Sequence, residues 1–220
     1  MTRMDRGEIL KLIGEARSKL EKRGFRQSFE LYVVLDDNKV KKDDIQINEI
    51  VALPHRFSEI PRIAVIAGGD AAVKAKEAGA SSVISPDDVD RLSTNKNEVR
   101  KLVKSYDFFV SEASLMSRVG RTLGRYLGPR GKMPVPVPGS AQMGAALDRI
   151  RSSVRVRARG QFSVSAKIGD EDMDDGAIAD NAMAIIEAVK NKLPQGEKAI
   201  KRIIVKATMG EPAETSVVSG

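Results

Sequence analysis

The side chains that could do chemistry are few, and their absences matter first. The chain has no cysteine and one histidine, His55, which removes disulfides, thiolate nucleophiles, thiolate zinc sites and multi-histidine metal clusters. His55 sits between Pro54 and Arg56, and alone it suits packing or hydrogen bonding better than a catalytic triad. Two glycine-rich segments have partial phosphate-loop character. AGGDAA (67–72) lacks the G-x-G-x-x-G spacing that brings backbone up to a pyrophosphate. GPRGKM (128–133) has a Gly-Lys pair, but neither the glycine five residues earlier nor the following hydroxyl residue of a Walker loop. DEDMDDG (170–176) places its glycine seventh rather than sixth, and Asn181 stands where a calcium loop needs a bidentate glutamate. Its acids read instead as complements to a helix N-terminus. No metal or cofactor is expected from this inventory, and an enzyme would have to work without most of the usual chemistry.

Positive charge is what remains. Lys+Arg number 37 against 30 Asp+Glu, a net charge of +7. Between Glu112 and Asp170 the only acid is Asp148, while eleven basic residues fall there, an electrostatic footprint for phosphate-rich ligands. Within it, GRTLGRYLGPRGKMPVPVPG (120–139) combines Arg121, Arg125, Arg130 and Lys132 with glycines that permit close backbone approach and prolines that keep the loop open. Arg155, Arg157 and Arg159 alternate with Val154, Val156 and Ala158, and Lys167 follows. On residues alone three readings stay open: a solvated face on a basic protein, a general nucleic-acid chaperone binding through charge alone, and an enzyme holding a phosphorylated ligand in 128–140.

The elements that must position these residues fall into two rhythms. Residues 5–23 carry Ile9, Leu10, Ile13, Ala16 and Leu20 at helical spacing, with Asp5 as N-cap. FELYVVL (29–35) and INEIVAL (47–53) read as strands, and LPHRFSEIP (53–61) as a connector. Then strands at 62–67, 81–85 and 107–112 alternate with helices at 71–79, 95–106 and 114–124, the pattern of a parallel sheet with helical crossovers. A Gly/Pro loop (128–140) and a helix (141–153) complete that stretch. Two-residue periodicity over 154–158 and 162–166 predicts a β-hairpin with a basic face. A helix over 174–192 and a strand over 200–208 end the series. At 220 residues two modest domains are expected. The fold class predicted is α/β: a discontinuous α+β domain of split β-α-β type from 1–61 plus 154–220, and an inserted Rossmann-like open α/β domain, 62–153. No run of eighteen apolar residues occurs and the opening MTRMDRGEILK is too polar for a signal peptide, so a cytoplasmic protein with no membrane partner is expected.

GRTLGRYLGPRGKMPVP closely resembles the signature of the ribosomal protein L-one family, RNA-binding proteins of the lateral stalk of the large ribosomal subunit. GFRQSFEL (24–31), VALPH (51–55), GQFSVSAKIG (160–169), DNAMAIIEAVKNKLP (180–194) and KATMGEPAE (206–214) resemble further family landmarks, and TMGEPAE is similar to archaeal rather than bacterial endings. The resemblance implies a non-catalytic protein, monomeric when free, whose discontinuous domain binds large-subunit rRNA at the stalk. Its implied partners are other ribosomal components, exit-site tRNA, whose movement and release it assists, and the mRNA of its own operon, which it represses. It places rRNA and mRNA contact at Phe25, Ser28, Thr208, Met209 and Gly210, with Thr208 addressing a 2′-hydroxyl and Gly210 allowing close approach. Arg121, Arg125, Arg130, Lys132, Arg155, Arg157, Arg159 and Lys167 are expected as auxiliary RNA or phosphate contacts. The outer segments are nearly neutral, twelve basic to eleven acidic and ten to ten, so selectivity is expected from the neutral patch and steering from the basic insert.

Overall fold

The computed structural model describes residues 5–217; residues 1–4 of the polar opening stretch lie outside them. The leading segment forms α1 (Arg6–Ser18), β1 (Ser28–Leu35) and β2 (Gln46–Ala52). The middle forms β3 (Ile63–Ile66), α2 (Gly69–Glu77), β4 (Ser82–Ile84), α3 (Pro86–Thr94), α4 (Lys96–Ser105), β5 (Phe108–Glu112), α5 (Met116–Leu127), β6 (Val135–Val137) and α6 (Met143–Arg151). The return segment forms β7 (Ser153–Arg159), β8 (Ser163–Asp170), α7 (Asp175–Lys192), β9 (Ile200–Ala207) and β10 (Ala213–Ser216). The fold is thus of mixed α/β class. Glu59–Arg151 is one compact unit, and the chain up to Ser58 together with that from Ser152 is the other.

In the discontinuous unit β1 is a central strand of an antiparallel sheet ordered β10-β9-β1-β8. Its strict alternation buries Phe29, Leu31, Val33 and Leu35 on one side, because successive strand side chains point to opposite faces. That side meets Ile9, Ile13 and Ala16 of α1 and Ile178, Ala182, Ile185 and Val189 of α7 in a single core. Asp5 caps α1 by accepting from Glu8 N–H at 2.9 Å, and Asp174 caps α7 by accepting from Gly176 N–H at 2.8 Å. Of the acids in 170–176, Asp174 and Asp175 serve the helix start that their sequence suggested, whereas Asp170 binds Lys167 and Ser58 N–H and Asp172 pairs with Arg26.

The expected hairpin over 154–166 does not form. β7 pairs antiparallel with β2, from Gln46↔Arg159 to Ala52↔Ser153, whereas β8 pairs with β1. Gly160, at φ +64°, turns the chain at the corner, and its N–H donates to Ile45 C=O at 3.0 Å. Periodicity reports which faces are buried but not which strand lies alongside.

The inserted unit is a parallel sheet, β4-β3-β5-β6. Every residue of β3 is buried, as in parallel strands covered on both faces. Val89, Leu92, Val99, Val103, Val119, Leu123 and Leu127 of α3, α4 and α5 pack with Ala64, Ile66 and Phe109; Met143, Leu147 and Ile150 of α6 and Ala71 and Ala75 of α2 are buried as well. Two elements were hidden in sequence. β6 lies within the Gly/Pro loop, and its Pro136 is tolerated because β6 is an edge strand with one neighbour. α3 begins at Pro86 with Ser85 accepting from Asp88 N–H at 3.1 Å, a start signal of the usual kind.

Candidate nucleic-acid interface

At one end of the antiparallel sheet the start of β1 and the end of β9 are sewn together. Thr208 N–H donates to Ser28 C=O at 2.9 Å, and Ser28 N–H donates to Thr208 Oγ1 at 3.1 Å. The same hydroxyl stands 3.2 Å from Ser28 O and donates to it. Thr208 thus spends its proton on the neighbouring main chain, which leaves its oxygen only residual acceptor capacity. Its first task is to fasten the strand end, and the Ser28 hydroxyl, with no hydrogen bond among the described residues, is the free one of the pair.

Beyond this seam β9 turns into β10. Gly210 N–H donates to Ala207 C=O at 2.9 Å, closing a four-residue turn whose third residue, Met209, has φ +59°. That is the type II pattern, which favours glycine or asparagine at the third position; methionine there sits in the left-handed region against its own Cβ. The strained residue is also 66% exposed. Met209 thus holds an apolar side chain outward at a conformational cost. Gly210 is constrained differently: a Cβ there would lie 3.2 Å from Ala207 Cβ and 3.3 Å from Ala207 O, a tight approach. Phe25, 47% exposed, precedes β1 at this same sheet end, so the structure gathers the Ser28–Thr208 seam and both exposed apolar residues on adjacent chain segments.

Arg17 of α1 steadies the surroundings. Its Nε donates to Asp175 at 2.6 Å, Nη1 to Glu171 C=O at 2.7 Å and Nη2 to Met173 C=O at 2.8 Å, with the guanidinium carbon 5.0 Å from the Phe29 ring centre. Gln27, buried just ahead of Ser28, donates from its amide nitrogen to Glu21 C=O at 2.7 Å. Lys19, Arg23 and Gln27 line a depression beside Met209. Sequence reasoning singled out none of the three: Arg23 read only as part of the helix stop at 22–24, and Gln27 only as part of GFRQSFEL. On the sheet face away from the helices, Tyr32 Oη donates to Glu30 at 2.7 Å, and that bond, with burial adding to it, pushes the phenol up to about 12. Lys206 Nζ lies 5.8 Å from the centre of the same ring.

The auxiliary cations divide sharply. Lys167 is engaged internally, 2.5 Å from the buried Asp170 carboxylate and 4.8 Å from the Phe57 ring centre. Arg157 and Arg159 are exposed on β7, opposite Asn48 and Gln46. Arg155, opposite Ile50, is partly buried, and burial first, then the Arg157 charge, lowers its pKa from the usual arginine value. In the inserted unit Arg121, Arg125 and Arg130 are exposed. Lys132 is not presented outward: its ammonium donates to Val103 C=O at 3.0 Å and Tyr106 C=O at 2.6 Å, closing the end of α4. His55, for its part, places Nε2 3.3 Å from Asp180 Oδ2, while buried Asn181 binds its main chain on both sides at 3.0 Å. Among the described residues no group of acids and histidine is placed to hold a metal, and no helix is long and apolar enough to cross a membrane.

Comparison with known proteins then decides the family. A match to the Ribosomal protein L1p/L10e family spans residues 17–211. The chain belongs to this family. Among its relatives, the large ribosomal subunit protein uL1 of Cenarchaeum symbiosum is 46% identical over 213 residues, covering 97% of this chain and 98% of that one. The uL1 proteins of Archaeoglobus fulgidus and Thermofilum pendens are 43% and 42% identical, covering 94% and 96% of this chain and 96% and 93% of theirs. These relatives are archaeal, in keeping with the TMGEPAE ending. The Ser28–Thr208 seam and the strained turn all lie within the L1p/L10e match.

Proposed function

We propose that this L1p/L10e-family chain is a non-catalytic component of the large ribosomal subunit that binds large-subunit rRNA through its discontinuous unit. In this reading that unit is the split β-α-β RNA-binding domain and Glu59–Arg151 is a Rossmann-like insert. The observation that carries it is Met209: an exposed apolar residue in a left-handed turn, beside a seam of main chain and hydroxyls, inside a family match of nearly full length. Phe25 and Met209 supply shape-matching apolar contact, Ser28 a hydroxyl for sugar or base, and Gly210 close approach. The rRNA segment is that of the mobile lateral stalk. Exit-site tRNA, whose movement and release the protein assists, and its own operon mRNA, which it represses, are the other RNA partners, alongside other ribosomal components. It works in the cytoplasmic ribosome and is a monomer when free.

Arg121, Arg125 and Arg130 steer the encounter and reinforce it through phosphates. The test is equilibrium binding to an rRNA stalk fragment and to a scrambled RNA of equal length, at low and high salt. Selective binding that survives high salt and is weakened by Met209→Ala supports the reading. Equal affinity for both RNAs, collapsing with salt and indifferent to Met209→Ala, overturns it.

A further inference from the structure

The depression beside Met209 has a volume of about 280 Å³, just below the range of about 300–1,000 Å³ that holds drug-sized ligands. Its scale suits one nucleobase. Gln27 is 1% exposed and its orientation is fixed, since only the amide nitrogen can donate to Glu21 C=O. The opposite end, Oε1, has no donor among the described residues. Gln27 is among the residues that line the depression. The Gln27 main chain is held as well: its C=O accepts Glu171 N–H at 2.9 Å, and the N–H of its neighbour Ser28 donates to Thr208 Oγ1.

Around this fixed acceptor the walls differ in kind. Met209 provides a flexible, polarisable apolar wall, and the Glu211 carboxylate is a second acceptor. Lys19 and Arg23 are also in the lining, each resting against a carboxylate of its own segment, Glu15 at 2.9 Å and Glu21 at 3.0 Å. These are partly exposed pairs that a phosphate can replace at small cost.

We propose that this depression is a nucleobase subsite, resting on the RNA-binding reading above. It takes one unstacked base of the bound RNA, with Met209 against the base and Gln27 Oε1 accepting from an exocyclic amino group. Lys19 and Arg23 face the flanking phosphates. An acceptor-lined site favours adenine, cytosine or guanine over uracil, which has no amino group.

The experiment uses the full chain and the stalk rRNA fragment, with each unpaired nucleotide made abasic in turn, and compares the unsubstituted chain with Gln27→Leu. One unpaired position is expected at which base removal weakens binding about tenfold, with replacement by uracil doing much of the same. In Gln27→Leu the penalty at that position disappears while penalties elsewhere persist. Met209→Ala, at an exposed position with little bearing on folding, reduces the penalty at the same nucleotide. Selective binding in which no abasic penalty depends on Gln27 or Met209 overturns the subsite and leaves the RNA-binding reading standing. Absence of selective binding by the unsubstituted chain overturns that reading itself, and the subsite with it.

Discussion

Met209 allows the backbone and side-chain roles of one residue to be separated by two substitutions. A non-glycine residue in the left-handed region costs about 1–2 kcal/mol, and glycine brings an entropic cost of about 0.5–1 kcal/mol in the unfolded chain. Met209→Gly and Met209→Ala remove nearly the same side chain, but only glycine releases the strain at φ +59°. The glycine variant is therefore expected to be the more stable by about 1 kcal/mol, the reverse of the order in an ordinary helix or strand. With a urea slope of about 2 kcal/mol/M this is a midpoint difference of about 0.5 M. Amide exchange in β1 and β9 isolates the discontinuous unit from the insert. RNA affinity, measured at fixed salt, falls by about tenfold in both variants, because both lose an apolar contact worth about 1–2 kcal/mol. A glycine variant less stable than alanine would refute the left-handed turn. Native affinity in either would remove Met209 from the interface.

Other outcomes follow from the same geometry. Lys132→Met is expected to destabilise the inserted unit by about 2 kcal/mol, read by exchange of the α4 amides, without changing the salt dependence of RNA binding, since that ammonium is already bound to two carbonyls. Arg130→Ala, at an exposed position, should leave stability unchanged and lower the salt slope by about one. Tyr32 is an acid whose folded pKa is raised, so its contribution is complete below the unfolded value near 10 and is lost as pH rises towards about 12. Stability should therefore fall more steeply over that window than in Tyr32→Phe, compared by urea unfolding at each pH. Gly169→Ala drives a Cβ to 2.6 Å from Ile178 Cγ1, and the overpacking of β8 against α7 should cost about 1–3 kcal/mol.

Where periodicity and capping agreed, the sequence was readable: α1 with Asp5, α7 with the acids before it, and the parallel strands β3 and β5. Reading failed where the deciding partner lay far along the chain. β7 has the alternation of a hairpin arm, but its mate is β2, more than a hundred residues earlier. β6 and β10 were missed because VPV and AETS are short edge segments with little apolar signal. The candidate site showed a similar split. Met209 and Gly210 stand in a recognisable motif, yet nothing local announces that Met209 adopts φ +59° or that Thr208 gives its proton to Ser28. Lys132 looks like any phosphate-seeking lysine until α4 ends against it. Gln27 is polar and reads as surface, but the Glu21 carbonyl that satisfies its amide lets it be buried.

The seam between Ser28 and Thr208 joins residues 180 positions apart. At about 5–20 residues per second of synthesis, β1 waits roughly ten seconds or more for its β9 neighbour to be made. The insert, continuous from Glu59 to Arg151, has every strand partner it needs well before then. A nascent chain halted after Ala199 would carry a folded insert while the first half of the other unit still lacked β9 and the turn at Met209. The turn at Met209, proposed above as an RNA contact, is thus made after every strand of the insert. On the proposed reading, a chain terminated before Gly210 lacks this contact and is expected to compete poorly for the RNA.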